Sequence, residues 1–394
     1  VVMEREQAPE NGLPKQERLE QRLERHVQAL SLGGGLVFDR SAEMQDLGGA
    51  IYVTARLALN AGAQERILAL LKASGTPEQQ AELRSALIHA ADAKHATLAE
   101  ALLFSALPGA WALGLWLAAE LCAVPSRPWR DLALAGGPRV LGDSFPHALA
   151  RMGSASHAPL LEPWLLDDSA STRELAALAY MALDRASARE RLISLADPMF
   201  LPVLAVSSEV GDQAALIQAC ELSRDAPGSA LALGLLGTSD AVARLIDRLE
   251  VPALARAASC ALYLATGAPL LEEQEQLIAA SDDELTTLEL QARAAGDGSV
   301  GVERLRRQTF STQVGKWRTV HDQHRARFGA SERARLGQPL GAGSSAAILL
   351  DPHLPPSVQR LCAFGIGRGS ERASWLPYDF RVLDQRRLAA AQHA

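Results

Sequence analysis

His321 and His324 stand three residues apart in "HDQH", with Asp322 between them. On a helix, positions i and i+3 share a face, so the two imidazoles are spaced as a pair of metal ligands. No third or fourth ligand follows nearby and the surrounding arginines repel a cation, so the same spacing also reads as a solvated helical face. Two glycine-rich stretches, "GAGSS" (residues 341–345) and "GIGRG" (residues 365–369), have the composition of phosphate loops. Neither has P-loop spacing or its lysine, and no stretch alternates like the strand a dinucleotide site requires, so both read as loops between helices. Asp167 and Asp168, like Asp282 and Asp283, are adjacent carboxylates at turns. Helix N-termini favour negative charge there, so capping is the expectation rather than acid–base chemistry. No Gly-x-Ser-x-Gly elbow occurs. Cys122, Cys220, Cys260 and Cys362 lie far apart without metal or redox spacing, which predicts free buried thiols in a reducing compartment. No cofactor is implied.

Charge carries the functional signal. Residues 302–335 hold nine basic side chains against three acidic ones, a local +6 that leaves −13 on the rest of a chain whose net charge is −7. Arg304, Arg307, Trp317, Arg318, Arg325 and Arg327 are the candidate partner-binding residues, because arginine and tryptophan dominate protein–protein hot spots. The competing expectation pairs these arginines with the acidic stretch around residues 272–284 inside the fold. An acidic total argues against a general nucleic-acid binder.

Those side chains need a scaffold, and the composition supports one: 48% hydrophobic and 22% charged residues fit a core-forming chain. With aromatics at 5%, small aliphatic side chains must fill the interior. Residues 101–119, "ALLFSALPGAWALGLWLAA", run without a charge for the length of a membrane span. Pro108 interrupts them, because proline inside a helix removes a hydrogen bond and clashes one turn back. Two buried helices meeting near Leu107 are therefore expected, and no membrane span. The N-terminus has no apolar core of a secretory signal.

An alanine- and leucine-rich phrase recurs from Ala148, Ala177, Val203, Ala232 and Ala261, at spacings of 29, 26, 29 and 29 residues. That period accommodates two helices and two tight turns. In the clearest copy, Thr238 or Ser239 caps a helix with Val242, Leu245, Ile246 and Leu249 on one face, Pro252 opens the next, and Gly267 ends it. One such pair cannot bury its own apolar face and must stack on the next. The fold class expected is all-α: an α-solenoid of HEAT-like hairpins over residues 14–295, a disordered tail at 1–13, and a C-terminal basic helical segment and cap at 296–394.

The run from Gly237 through "DAVARLIDRLEVPALARAASCALYLATG", with "KWRTVHDQHRARFG", "GQPL", "SVQR" and "WLPYDFRVLDQRR", resembles a family of uncharacterised proteobacterial HEAT-like proteins found in gene neighbourhoods of type VI secretion effectors. Members tend to have a Gly-Asp-Pro turn where this chain reads "GTSD", and paired tryptophans where it reads Lys316-Trp317. The resemblance implies a cytoplasmic, non-enzymatic adaptor or immunity protein whose partner is another protein, a secreted effector or a spike component, with no nucleic acid. Two rival classes are a HEAT-like DNA glycosylase and a cofactor lyase of the bilin-lyase type.

Overall fold

The helical phrases form as their caps dictate. Pro77, Pro108, Pro227 and Pro252 each open a helix at its first position, where the missing N–H costs no hydrogen bond. Thr76, Ser169 and Thr238 cap others through their hydroxyls. The structure, a computed structural model, describes residues 13–32, 49–279, 302–329 and 331–366. The expected tail at 1–13 falls almost wholly outside them, as do Asp282 and Asp283.

Among the described residues the fold is all-α apart from short strands. The first helices are α1 (Leu13–Ser31), α2 (Ala50–Asn60), α3 (Gln64–Ala73), α4 (Pro77–His89), α5 (Ala96–Leu103) and α6 (Pro108–Leu121). There follow α7 (Trp129–Leu141), α8 (Ser144–Met152), α9 (Glu162–Leu165), α10 (Ala170–Leu183) and α11 (Arg185–Leu195). Then come α12 (Leu201–Ser207), α13 (Gln213–Leu222), α14 (Pro227–Leu236), α15 (Ser239–Arg248) and α16 (Pro252–Thr266). The even-numbered helices from α2 to α16 pack each on the next in an unbroken row, and the odd-numbered ones lean against them. The phrases beginning at Ala148, Ala177, Val203, Ala232 and Ala261 supply α8, α10, α12, α14 and α16 of that row. The apolar stretch at 101–119 divides into α5 and α6 on either side of Leu107, as expected, and no described helix is long and apolar enough to cross a membrane.

Small residues set the spacing within the row. Ala148, Ala176, Ala177, Ala179, Ala232 and Ala261 are buried. A Cβ at Gly234 of α14 would come within 2.8–3.0 Å of the Ala261 backbone and methyl of α16.

The first departure from expectation comes after α16. An antiparallel ribbon of β1 (Leu271–Ala279) and β2 (Val302–Phe310) stands where the end of the helical solenoid and the start of the basic helical segment were expected, in register Leu271↔Phe310 through Ala279↔Val302. Alternation is hidden there because charged residues fall at both odd and even positions of the two strand sequences, so no period-2 apolar pattern marks them. Phe310 ends the ribbon stacked on Tyr263 of α16, with ring centroids 4.5 Å apart. Helix α17 (Val314–Arg327) then packs on α15 and α16. A two-residue ladder follows, β3 (Ala334–Arg335) with β4 (Gln338–Pro339), and then α18 (Ala342–Leu349) and α19 (Pro356–Ile366). "GAGSS" is thus a helix start, not a loop.

Residues 331–366 cross the even row rather than extend it. Arg333 lies buried against the C-terminal ends of α12 and α14, donating to the carbonyls of Ser208 (2.8 Å), Ala205 (2.9 Å), Leu235 (3.0 Å) and Leu236 (3.3 Å). Such carbonyls lack partners within their helices and carry the negative end of the dipole, so a guanidinium satisfies both needs. The strap backbone adds Ala334 N–H to Gly237 O, Leu336 N–H to Leu264 O and Gly337 N–H to Ala265 O. Gly237 (φ 60°) and Gly267 (φ 68°) are the left-handed caps of α14 and α16, and a methyl group on either would overlap the strap carbonyls of Ala334 and Leu336. Further on, Asp351 accepts from the Tyr263 hydroxyl (2.6 Å), α19 packs on α12, and Arg360 reaches Glu174 of α10 (3.1 Å).

Gly234→Ala is expected to destabilise the chain by about 1–3 kcal/mol through overpacking, while Gly75→Ala, whose Cβ meets nothing within 4 Å, stays near neutral. Urea denaturation of both variants measures the difference. Arg333→Met removes the guanidinium from four carbonyls at two helix ends and is expected to cost about 2–3 kcal/mol, read as a lowered urea midpoint with faster proteolysis within residues 331–340.

Candidate protein interface

Helix α17 carries the basic segment, and its periodicity decides which side chains reach solvent. Trp317, Val320, His321, His324 and Phe328 fall on the face toward the row, at the i, i+3, i+4 spacing of a packed stripe. Trp317 is fully buried and donates its indole N–H to Ser311 O at 2.6 Å. The expectation that Trp317 meets a partner is therefore corrected: its ring is an anchor inside the fold. Arg318 and Arg325, seven residues apart, are exposed along one flank of that stripe, and Arg327 is exposed on its other flank. Arg318 faces Glu250 at 3.4 Å with both side chains more than half exposed, a pairing of little energetic weight. The Arg327 guanidinium lies over the Phe328 ring at 5.2 Å. Arg304 and Arg307 sit in β2 opposite Leu277 and Gln274 of β1, on a different element from α17.

The expected internal pairing with the acidic stretch holds at its edge. Glu272 accepts from Lys316 Nζ (2.9 Å) and from the Ser311 hydroxyl (2.6 Å), which together hold its carboxyl below the ordinary range. Glu275 stands opposite Arg306 in the ribbon register.

The histidine pair does not form a solvated face. His321 Nε2 lies 3.2 Å from both the hydroxyl and the carbonyl of Ser239 on α15. His324 is buried, and neither ring nitrogen has a hydrogen-bond partner among the described residues; burial, then the His321 and Arg327 charges, push its pKa below the usual histidine value. Among the described residues no group of three metal-ligating side chains occurs. Asp167 accepts from Ser169 N–H at the start of α10, in keeping with a turn role. All four cysteines are free, and Cys122 is exposed rather than buried. Burial pushes the Cys220 thiol up to about 12 and that of Cys260 to about 11, so neither is a nucleophile near neutrality.

Sequence reasoning missed a polar ladder on the even row. The Tyr52 hydroxyl of α2 lies 3.1 Å from His89 Nδ1 of α4. Glu120 of α6 accepts from His147 Nε2 of α8 at 3.2 Å and lies 3.7 Å from Arg151. Trp116 covers the His147 ring with centroids 4.2 Å apart, and the Arg84 guanidinium lies over Trp116 at 5.5 Å. One signal was available: Glu120 is the first charge after nineteen uncharged residues, and a lone carboxylate ending an apolar run demands a partner. The partner's identity was not readable, since His147 arrives from another helix.

Compared with known protein families, curated proteins and solved structures, the chain matches none.

Burial lowers the His147 pKa below its ordinary 6.5, against the opposing Glu120 hydrogen bond. Burial alone would raise Glu120, but the His147 hydrogen bond and the Arg151 charge outweigh it and hold the carboxyl below its ordinary 4.5. Neutral His147 therefore donates to an ionised Glu120. Both groups bind protons less readily folded than unfolded, so their share of stability is present above 6.5 and is lost as pH falls, His147 first and Glu120 below 4.5. Urea midpoints are expected to drop between pH 7 and pH 5, and His147→Gln to flatten that drop; an unchanged slope in the variant contradicts the assignment.

Proposed function

We propose that this chain is a non-enzymatic scaffold that binds another protein through the exposed arginines of α17, as an effector adaptor or immunity protein of a type VI secretion system. The observation that supports this reading is the division of α17 into buried and exposed residues. Trp317 and His324, with Phe328 just after the helix, are buried, while Arg318, Arg325 and Arg327 are exposed. Side chains held on a rigid element lose less entropy on binding than those of a mobile loop. Their sign fits an acidic surface on the partner, a secreted effector or spike component, and such complementarity raises association rates and selects among partners. The rows of helices are read as a HEAT-like solenoid, an architecture that serves as a long platform for other macromolecules.

The test is a pull-down with the tagged full chain from its own bacterial host. A specific protein partner is expected with the native sequence, and Arg318→Glu with Arg325→Glu is expected to reduce its capture at least about tenfold, a change of about 1.4 kcal/mol. Equal capture by the charge-reversed chain, or recovery of nucleic acid alone, overturns the proposal.

A further inference from the structure

A cleft of about 400 Å³ opens between the first turns of α4 and α6, the end of α7 and the start of α10. Its volume lies in the range of small-molecule sites, which combine an apolar floor with a few converging polar groups. Leu71, Leu113 and Trp116 supply the apolar floor here. Two arginines are also among the lining residues. Arg84 is held over Trp116, and Arg139 reaches the cleft from the end of α7, just past a kink at Gly137 where φ is +60°. Arg139 is exposed and makes no hydrogen bond or ion pair among the described residues. Ser169 and Ser171 present hydroxyls from the first turn of α10. The cleft also contains Asp143, whose carboxylate accepts from the Thr172 hydroxyl at 2.6 Å, and the two arginines outnumber this one acidic lining residue. The start of α10 adds the positive end of a fourteen-residue helix.

We propose that this cleft binds a small organic oxyanion, a carboxylate or phosphate carried on an apolar group. The apolar body lies on Leu113 and Trp116. The oxyanion sits between Arg84 and Arg139 and accepts from the hydroxyls at the start of α10. A guanidinium suits either oxyanion because its N–H groups pair with two oxygens at once. The cleft lies on α4 to α10, whereas α17 packs on α15 and α16, so the site stands or falls independently of the protein interface.

Calorimetric titration of the full chain with benzoate, phenyl phosphate and neutral phenol tests it. Saturable binding of benzoate or phenyl phosphate is expected at a Kd below about 1 mM, with no saturation by phenol, and whichever oxyanion binds more tightly identifies the headgroup. Arg139→Gln, a change at an exposed side chain, is expected to weaken binding at least about tenfold. Ala112→Trp, which fills the floor, is expected to abolish it. Arg318→Glu with Arg325→Glu is expected to leave it unchanged. Failure of both oxyanions to saturate, equal binding of phenol, or full affinity in the Arg139→Gln chain overturns the proposal.

Discussion

A single guanidinium anchors the last described segment of this chain, residues 331–366, to the rest. Arg333 donates to four carbonyls at the ends of α12 and α14, in a place from which water is excluded. Neither party is stable there alone. A buried arginine without acceptors and a buried helix end without donors each leave strong polar groups desolvated, and together they satisfy one another. Because those carbonyls belong to successive helices of one row, the strap also ties the repeats to each other. Arg335, buried beside it, donates weakly to Leu235 O and lies near the buried Cys362. Burial pulls the Arg335 pKa down and pushes that of Cys362 up.

The strap can reach the helix ends only because the repeats finish as they do. Gly237 and Gly267 serve two demands at one position: a left-handed backbone that ends the helix, and no side chain where another segment passes in van der Waals contact. Upstream caps that lack the strap are filled differently. Cys122 and Ala196 take the left-handed conformation without being glycine, at some steric cost. The periodic ending of the sequence therefore records a contact with a segment about seventy to one hundred residues away as well as a helix stop.

Positive charge is used in two opposite ways within a few dozen residues. Arg333, Arg335 and Arg360 are buried and act inside the fold, on helix ends and on Glu174. Arg318, Arg325 and Arg327 are exposed on α17. The basic composition of the segment is the same in both cases, yet the first set contributes to structure and the second supports the proposed role in recognition. On the other half of the row, the Glu120–His147 pair shows a third arrangement, with a neutral histidine stabilising a mostly buried carboxylate that Arg151 also faces.

The sequence was enough to predict the break at Pro108 and the recurring helices of the row. The stretch from Ala101 had to break at Pro108, and phrases recurring every 26–29 residues had to be successive packed helices. Both follow from local rules: proline's missing N–H, and an apolar stripe too wide to stay in water. Tertiary structure alone decided what depends on distant partners. Trp317 and Arg318 are adjacent and both belong to a basic segment, yet one is core and the other surface, because only the docking of α17 on α15 and α16 defines an inside. The β1–β2 ribbon escaped detection because each strand is stabilised by hydrogen bonds to the other, across a gap of more than twenty residues, rather than by an apolar pattern of its own. Arg333 looked like one more member of a charge cluster, and its role came from four carbonyls that local sequence does not bring near it.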